Sequence, residues 1–336
     1  MGQCFYPIRK LKYLIRWGLE GSLSNNRIDR LNCRNLVKKM DRTMEQIERM
    51  RSDAGFIAAL DQSGGSTPKA LGLYGIDESA YNSDEQMFDL VHAMRTRIIT
   101  SSRFHSDHIL GAILFQRTLD STIEGKPTSC YLWQEKRIVP FLKIDLGLAE
   151  EKEGVQLMKP ITDMRERLPK AKDLDVFGTK MRSVIKKANV ASIASVVEQQ
   201  FEFGQIILDH GLVPIIEPEV DIHSPDKAEC ENLLLSELRR NLEMLKSDLP
   251  VMFKLTLPES PGFYSEFSAH SKVLRVVALS GGYPREVANE KLRLNQGMVA
   301  SFSRALTEGL LADQSEEAFS ELLGSSIESI AAASKT

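Results

Sequence analysis

The sequence lacks the features that mark several large classes of protein. No run of about 18 consecutive apolar residues occurs, which excludes a membrane-spanning helix. There are only 4 cysteines, they stand far apart, and none forms a CxxC pair. This usage indicates reduced thiols in an intracellular protein and argues against a disulfide framework.

Motifs for metals, nucleotides and nucleic acids are absent as well. The histidines include one close pair, His105 and His108, but no HExxH motif and no flanking carboxylates, so we expect a solvated pair and predict no metal site. Neither a GxxxxGK motif nor a strand–GxGxxG–helix pattern occurs, and no cofactor is predicted. A net charge of −3 argues against a general nucleic-acid binder.

The charge is distributed unevenly along the chain. Residues 1–39 hold nine lysines and arginines against two acidic residues, and Met40 directly after them is a second plausible start. We therefore predict two parts, a basic leader over 1–39 and a folded domain over 40–336. The leader has the composition of an organelle transit peptide, but a peripheral membrane or partner-binding arm and an extension without a role stay open. We expect a cytoplasmic protein, or an organellar one if the leader is a transit peptide.

Beyond residue 40, short apolar runs rich in β-branched residues alternate with longer helical patterns. Such alternation predicts a parallel sheet buried on both faces, either a closed barrel or an open doubly wound sheet. The eight runs cover 55–61, 109–115, 138–143, 176–180, 212–217, 251–254, 273–280 and 298–304.

Polar residues near the carboxyl ends of these runs favour the barrel. Seven runs end in a residue capable of chemistry, and in a barrel those ends converge on one mouth, whereas in an open sheet they would spread along an edge. The predicted fold is therefore α/β, a (β/α)8 TIM barrel. The seven residues are Asp61, Lys143, Lys180, Glu217, Lys254, Ser280 and Arg304.

This set of residues suits carbon–carbon bond cleavage without a metal. Burial and neighbouring cations favour the neutral amine of a lysine at an apolar strand end, and Lys254 is expected to have both, with Lys180 and Lys143 facing the same mouth. The neutral amine would attack a ketone and form an iminium that accepts electrons. Glu217 and Glu219 form a carboxylate pair that can supply a proton, and Asp61 is left as the base for a hydroxyl.

Two glycine-rich segments predict phosphate binding at both ends of a substrate. Ser280, Gly281 and Gly282 follow the seventh run and Arg304 ends the eighth, where barrels often bind phosphate. The segment from Ser63 to Ser66 follows the first run and could bind a second phosphate.

Several stretches together resemble class I (Schiff-base) fructose-bisphosphate aldolases, most closely the compact bacterial branch. The resemblance runs from about residue 45 to 332 and leaves 1–39 unexplained. It rests on GFIAALDQSGGSTPKAL (55–71), VPFLKIDLG (139–147), FGTKMRSVI (177–185), LVPIIEPEV (212–220), MFKLTLP (252–258), LSGGY (279–283) and ASFSRAL (300–306).

The resemblance implies a role for each matching residue. Lys254 would form the Schiff base, Glu217 would be the proton donor and acceptor with Glu219 beside it, Lys180 would assist iminium formation, and Asp61 would act near the C4 hydroxyl. The implied contacts to the substrate and its C6 phosphate are Lys143, Ser63 and Ser66, and those to the C1 phosphate are Ser280, Gly281, Gly282 and Arg304. Arg182, on the same strand face as Lys180, is predicted as a further substrate-binding residue.

Some features depart from the animal-type enzymes. Lys254 precedes Pro258 by four residues instead of directly, and the tail after residue 325 contains no tyrosine, which leaves the proton exchange at C3 open. Another Schiff-base aldolase or transaldolase, and a non-catalytic sugar-phosphate-binding protein, remain as alternatives. The sequence shows no heptad or interface stripe from which to predict an oligomeric state.

Overall fold

The predicted barrel is confirmed by a computed structural model, which describes residues 27–63 and 67–335. Each of the eight apolar runs overlaps a strand, and the strands follow one another around the barrel in chain order, each parallel to the next. They are β1 (Phe56–Leu60), β2 (Ile109–Leu114), β3 (Val139–Lys143), β4 (Gly178–Ile185), β5 (Val213–Val220), β6 (Val251–Thr256), β7 (Val273–Leu279) and β8 (Met298–Ala300).

The sheet closes on itself, which settles the choice between a barrel and an open sheet. The amide of Ala59 in β1 donates to the carbonyl oxygen of Phe302, just beyond β8, at 3.0 Å. A bond that joins β1 to the segment just after β8 brings the carboxyl ends of the strands to one mouth.

Helices surround the barrel and connect successive strands. No helix in the described ranges is long and apolar enough to cross a membrane. A 3-10 turn covers Glu78–Ala80, and short paired strands cover Thr122–Ile123, Lys126–Pro127 and Val155–Gln156. The helices are α1 (Arg27–Ser52), α2 (Thr67–Leu73), α3 (Asp84–Thr100), α4 (Gln116–Leu119), α5 (Thr128–Gln134), α6 (Met164–Asp173), α7 (Val190–Asp209), α8 (Lys227–Met244), α9 (Ser265–Ser268), α10 (Arg285–Arg293), α11 (Arg304–Thr307) and α12 (Glu316–Ala333).

Helix α1 covers the end of the barrel opposite the mouth. Its buried residues Ile47 and Met50 belong to one apolar cluster with inward-facing strand residues such as Ile57, Leu110 and Met252. This covering excludes water from the amino-terminal ends of the strands, so the mouth is left as the open end of the barrel.

The same helix runs through the predicted boundary between residues 39 and 40. Lys39 forms an exposed ion pair with Asp173 at 3.5 Å, and residues 1–26 lie outside the described part of the chain. The division into a leader over 1–39 and a domain over 40–336 stays a prediction.

The carboxyl ends of four strands differ by two or more residues from those predicted. Strands β4, β5 and β6 continue to Ile185, Val220 and Thr256, so Lys180, Glu217 and Lys254 lie within their strands and not at the ends. These strands continue past their charged residues because the charged side chains point into the barrel and the residues that follow are again largely apolar. Strand β8 is short, ending at Ala300, and Arg304 begins helix α11 instead of ending the strand.

Candidate active site at the mouth of the barrel

Four of the predicted catalytic residues form one chain of buried ion pairs, which we call the buried ion network. Lys180 Nζ lies 2.8 Å from Asp61 Oδ2 and 2.8 Å from Glu217 Oε2, and Lys254 Nζ lies 3.0 Å from Glu217 Oε1. All four side chains are less than a tenth exposed. Strands β4, β5 and β6 and the end of β1 thus bring these groups within contact distance.

The charges of the network hold two of its members in their ionised forms. Burial alone would raise the pKa of Asp61, but Lys180 and Lys254 offset it and keep the pKa of that carboxyl well below its usual range. Burial would likewise lower the pKa of Lys180, yet Asp61 and Glu217 raise it well above its usual range. Lys180 is therefore a permanent cation near neutral pH, between two carboxylates that sequence reasoning had not placed on it.

Local contacts set the positions of Glu217 and Lys254. The amide of Glu217 donates to Oε1 of the buried Gln200 on α7 at 2.8 Å. Strands β5 and β6 share only two paired positions, at Ile215 and Ile216 of β5. Beyond them, the Thr256 hydroxyl donates to the Val220 carbonyl at 2.7 Å and accepts from the Val220 amide at 2.9 Å. These contacts rejoin the strands above the gap that Glu217 and Lys254 face.

Glu219 and Arg182 form a second, more exposed pair. Arg182 Nε donates to Glu219 Oε2 at 2.5 Å, and the two side chains are 39% and 14% exposed. Burial acts to lower the pKa of Arg182, but Glu219 raises it overall. The two carboxylates that the sequence suggested as a pair therefore face different cations: Glu217 contacts Lys180 and Lys254, and Glu219 contacts Arg182.

A cavity of about 260 Å³ lies above the network on the side of β7 and β8. Its lining includes Ser280, Gly281 and Arg304, as predicted for one phosphate. Gly281 and Gly282 have φ values of +61° and +121°, which disfavour other residues. An added Cβ at Gly281 would lie 2.6 Å from Ile222 Cγ2, so this turn needs a glycine.

A second cavity, of about 870 Å³, opens on the side of β2 and β3. Lys143 and Ser63 line it, and it shares Asp61, Lys180 and Arg182 with the first cavity. Ser66, predicted to contact the same phosphate, lies outside the described residues. A molecule that filled both cavities would therefore have its middle over the buried ion network.

Comparison with known proteins identifies the family. The profile of the family described as "Fructose-bisphosphate aldolase class-I" matches residues 43–240. Fructose-bisphosphate aldolase class 1 of Synechocystis is 56% identical over 297 residues, 88% of this chain and 99% of that protein. The Porphyromonas gingivalis enzyme of the same name is 55% identical over 290 residues, 86% of this chain and 98% of that protein.

The chain belongs to the class I fructose-bisphosphate aldolases.

A solved structure supports the fold of this family member. The fructose-bisphosphate aldolase of Plasmodium falciparum superimposes with a TM-score of 0.69 at 19% identity, over 88% of this chain and 95% of that one. At this identity the likeness bears on the barrel alone.

Several residues at the aldolase mouth were not predicted. Lys143 Nζ donates to Asp145 Oδ1 at 2.6 Å, so Asp145 neutralises the expected phosphate lysine. Gln62 Nε2 donates to the hydroxyl of Ser303, which joins the loops after β1 and β8. Lys69 reaches the first cavity from α2. Three of these residues lie close in sequence to predicted ones, namely Asp145, Gln62 and Ser303. No sequence pattern marks Lys69, because it reaches the mouth only through the way α2 folds back over it.

Proposed function

We propose that this chain cleaves fructose 1,6-bisphosphate reversibly to dihydroxyacetone phosphate and glyceraldehyde 3-phosphate through a Schiff base on Lys254. Membership of the class I family supports the reaction, which belongs to glycolysis and gluconeogenesis and needs no metal. The observation that carries the choice of residue is that Lys254 Nζ is buried beside Glu217, 3.0 Å from Oε1, at the floor of a cavity.

Iminium formation needs a neutral amine and a group that exchanges protons with it. Proton transfer from Lys254 to Glu217 over the hydrogen-bond distance frees the amine to attack the C2 carbonyl of the ketose. A proton then moves from the nitrogen to the C2 oxygen to give the carbinolamine. Glu217 returns its proton to the C2 hydroxyl, which leaves as water when the iminium forms. Lys180, 2.8 Å from the other oxygen of Glu217, stabilises the negative charge on that carboxylate.

Cleavage follows when Asp61 accepts the proton of the C4 hydroxyl. As that proton leaves, the C3–C4 bond breaks, its electron pair moves into the iminium, and C4 departs as the aldehyde of glyceraldehyde 3-phosphate. The depressed pKa of Asp61 keeps this base ionised. Protonation of the enamine at C3 and hydrolysis of the resulting iminium release dihydroxyacetone phosphate and restore Lys254.

The two cavities suit the two phosphates of the substrate. We assign the C1 phosphate to Ser280, Gly281, Gly282 and Arg304, whose backbone amides and guanidinium suit an anion. We assign the C6 side to Lys143, Arg182, Ser63 and Ser66.

Trapping of the Schiff base tests this proposal. Borohydride added with dihydroxyacetone phosphate should reduce the iminium to a secondary amine and abolish activity, with the adduct on the peptide that contains Lys254. Lys254→Met should fold, give no adduct and lose about four or more orders of magnitude in rate. An adduct on Lys143 or Lys180, or activity that survives borohydride, would contradict the assignment.

Product analysis distinguishes the proposed reaction from the alternative, in which the chain is another Schiff-base aldolase or a transaldolase. Only cleavage of the bisphosphate releases two triose phosphates, which a coupled assay run with and without EDTA detects. Equal or faster turnover of a singly phosphorylated ketose would favour the alternative.

A further inference from the structure

Arg95 on α3 has the largest fully buried side chain in the described part of the molecule. It is 1% exposed, and its neighbours on the inward face of the helix are the buried Val91, Met94, Ile98 and Ile99. A guanidinium in apolar surroundings is strongly unfavourable unless it is paired. Its presence there calls for a role that a neutral side chain would not fill.

The guanidinium forms hydrogen bonds, but it has no ion pair with any carboxylate of the described residues. Nη1 donates to Thr118 Oγ1 at 2.6 Å and Nη2 donates to the carbonyl oxygen of Gln62 at 2.5 Å. Nε has no hydrogen-bond partner among residues 27–63 and 67–335. Burial lowers the pKa of Arg95 to about 10, against the opposing effect of Asp61, so it stays charged at neutral pH.

The two partners lie where neighbouring strands leave the barrel. Gln62 directly follows Asp61 after β1, and Thr118 lies in α4 after β2. Gln62 is also held from the other side, by the bond from its amide to the Ser303 hydroxyl after β8. Arg95 therefore restrains the peptide that follows Asp61 without lining either cavity at the mouth.

We propose that Arg95 is a positioning residue for the cleavage step: by holding the Gln62 carbonyl, it keeps the Asp61 carboxylate on Lys180 and aimed at the C4 hydroxyl. The inference rests on the proposed function and deepens it. It assigns no substrate contact to Arg95, which acts through Asp61.

The expected effect is large on cleavage and small on Schiff-base formation. A displacement of about 1 Å in a catalytic group can lower a rate about 100-fold. Dihydroxyacetone phosphate has no C4 hydroxyl, so its capture by Lys254 does not need the carboxylate of Asp61 as a base. Removing a nearby positive charge also raises the pKa of a carboxyl group, so the acid limb of kcat should move to higher pH.

The test compares Arg95→Met and Arg95→Lys with a control on the same helix. Arg97 also makes several bonds, to Glu316 at 2.9 Å and to the Gln314 carbonyl at 2.6 Å, but it faces the start of α12 and not the mouth. We expect Arg95→Met to lower kcat for fructose 1,6-bisphosphate about 100-fold with little change in KM. The fraction of enzyme trapped by borohydride with dihydroxyacetone phosphate should stay that of the wild type.

The control and the second variant keep the inference testable. Arg97→Met should lower the thermal midpoint without changing kcat. Arg95→Lys keeps the charge but reaches fewer partners, so its kcat should fall between those of the wild type and Arg95→Met, and it carries the test if the methionine variant does not fold. Wild-type kcat in a folded Arg95 variant, or cleavage and trapping that fall together with the folded fraction, would overturn the inference.

Failure of the proposed function would look different. If wild-type enzyme gave no borohydride adduct, or Asp61→Asn cleaved the bisphosphate at full rate, the mechanism itself would be wrong. If Asp61→Asn lost cleavage but folded Arg95 variants did not, only the role of Arg95 would be refuted.

Discussion

Replacement of Lys180 by methionine should destabilise the fold and lower its activity, with a pH dependence that identifies the cause. The substitution leaves Asp61 and Glu217 buried, at 8% and 3% side-chain exposure, without the cation that lies 2.8 Å from each. Removing one partner of a buried ion pair costs about 3–5 kcal/mol. At about 2 °C per kcal/mol for a large domain, the thermal midpoint should fall by roughly 6–10 °C near neutral pH.

The destabilisation should shrink in acid. In the wild type the depressed pKa of Asp61 stabilises the fold above the unfolded pKa of about 3.9, and this contribution is lost as the pH falls through the lower folded value. Without Lys180, Asp61 takes up its proton at higher pH, which relieves the unpaired charge. The difference in midpoint between variant and wild type should therefore narrow from pH 7 towards about pH 4.

On the alkaline side the difference should persist. The pKa of Lys180 is raised, so its contribution is complete below the unfolded pKa of about 10.4 and is lost only as the pH rises through the higher folded value. Differential scanning fluorimetry across pH measures both limbs. A midpoint difference that is the same at pH 4.5 and pH 7.5 would refute the view that buried carboxylates cause the loss.

A matched variant separates stability from chemistry. Lys227 is also buried between carboxylates, with Nζ 2.6 Å from Glu231 and 3.0 Å from Glu259, but it lines neither cavity at the mouth. Lys227→Met should also lose stability, although less because Glu259 is 46% exposed, and should still be trapped by borohydride. Lys180→Met should in addition lose at least about 100-fold in kcat, because the proton-transfer groups lose their shared partner.

Three further changes test the phosphate assignments and the leader. Arg304→Ala should raise KM for the bisphosphate roughly ten- to hundredfold, because a charge-assisted hydrogen bond contributes about 1.5–3 kcal/mol. The KM for an unphosphorylated ketose should hardly change. An equal rise in KM for both substrates would show that Arg304 has a structural role. Gly281→Ala combines φ +61° with a Cβ 2.6 Å from Ile222, so it should lower the thermal midpoint and raise KM for the bisphosphate, and wild-type values would show that the turn tolerates a side chain. Deletion of residues 1–39 should leave kcat and the thermal midpoint nearly unchanged, because the described ion pair of this segment, Lys39 with Asp173, is exposed and contributes about 0–1 kcal/mol. A tenfold drop in turnover would mean that the leader packs on the barrel. Fusion of the leader to a reporter protein would show whether it directs the protein to an organelle.

The sequence by itself determined the eight strands and the residue types at their mouth. Buried parallel strands need nearly continuous β-branched and apolar residues, so Phe56–Leu60 and Val273–Leu279 stand out from the amphipathic helices around them. A charged residue in such a run has to face the mouth, which is why the sequence alone groups Lys254, Glu217 and Lys180.

Only the tertiary structure decided which charges pair and where the strands end. Ion pairs form between residues far apart in the chain, such as Asp61 with Lys180, and their partners depend on strand register and on how far each strand continues. Lys180 is therefore paired with two carboxylates, and Glu219 faces Arg182 instead of Glu217. The role of Arg95 could not be predicted from the sequence for the same reason. An arginine in a helix is ordinarily solvated, and only the packing of α3 against the barrel brings the Arg95 guanidinium to the Gln62 carbonyl.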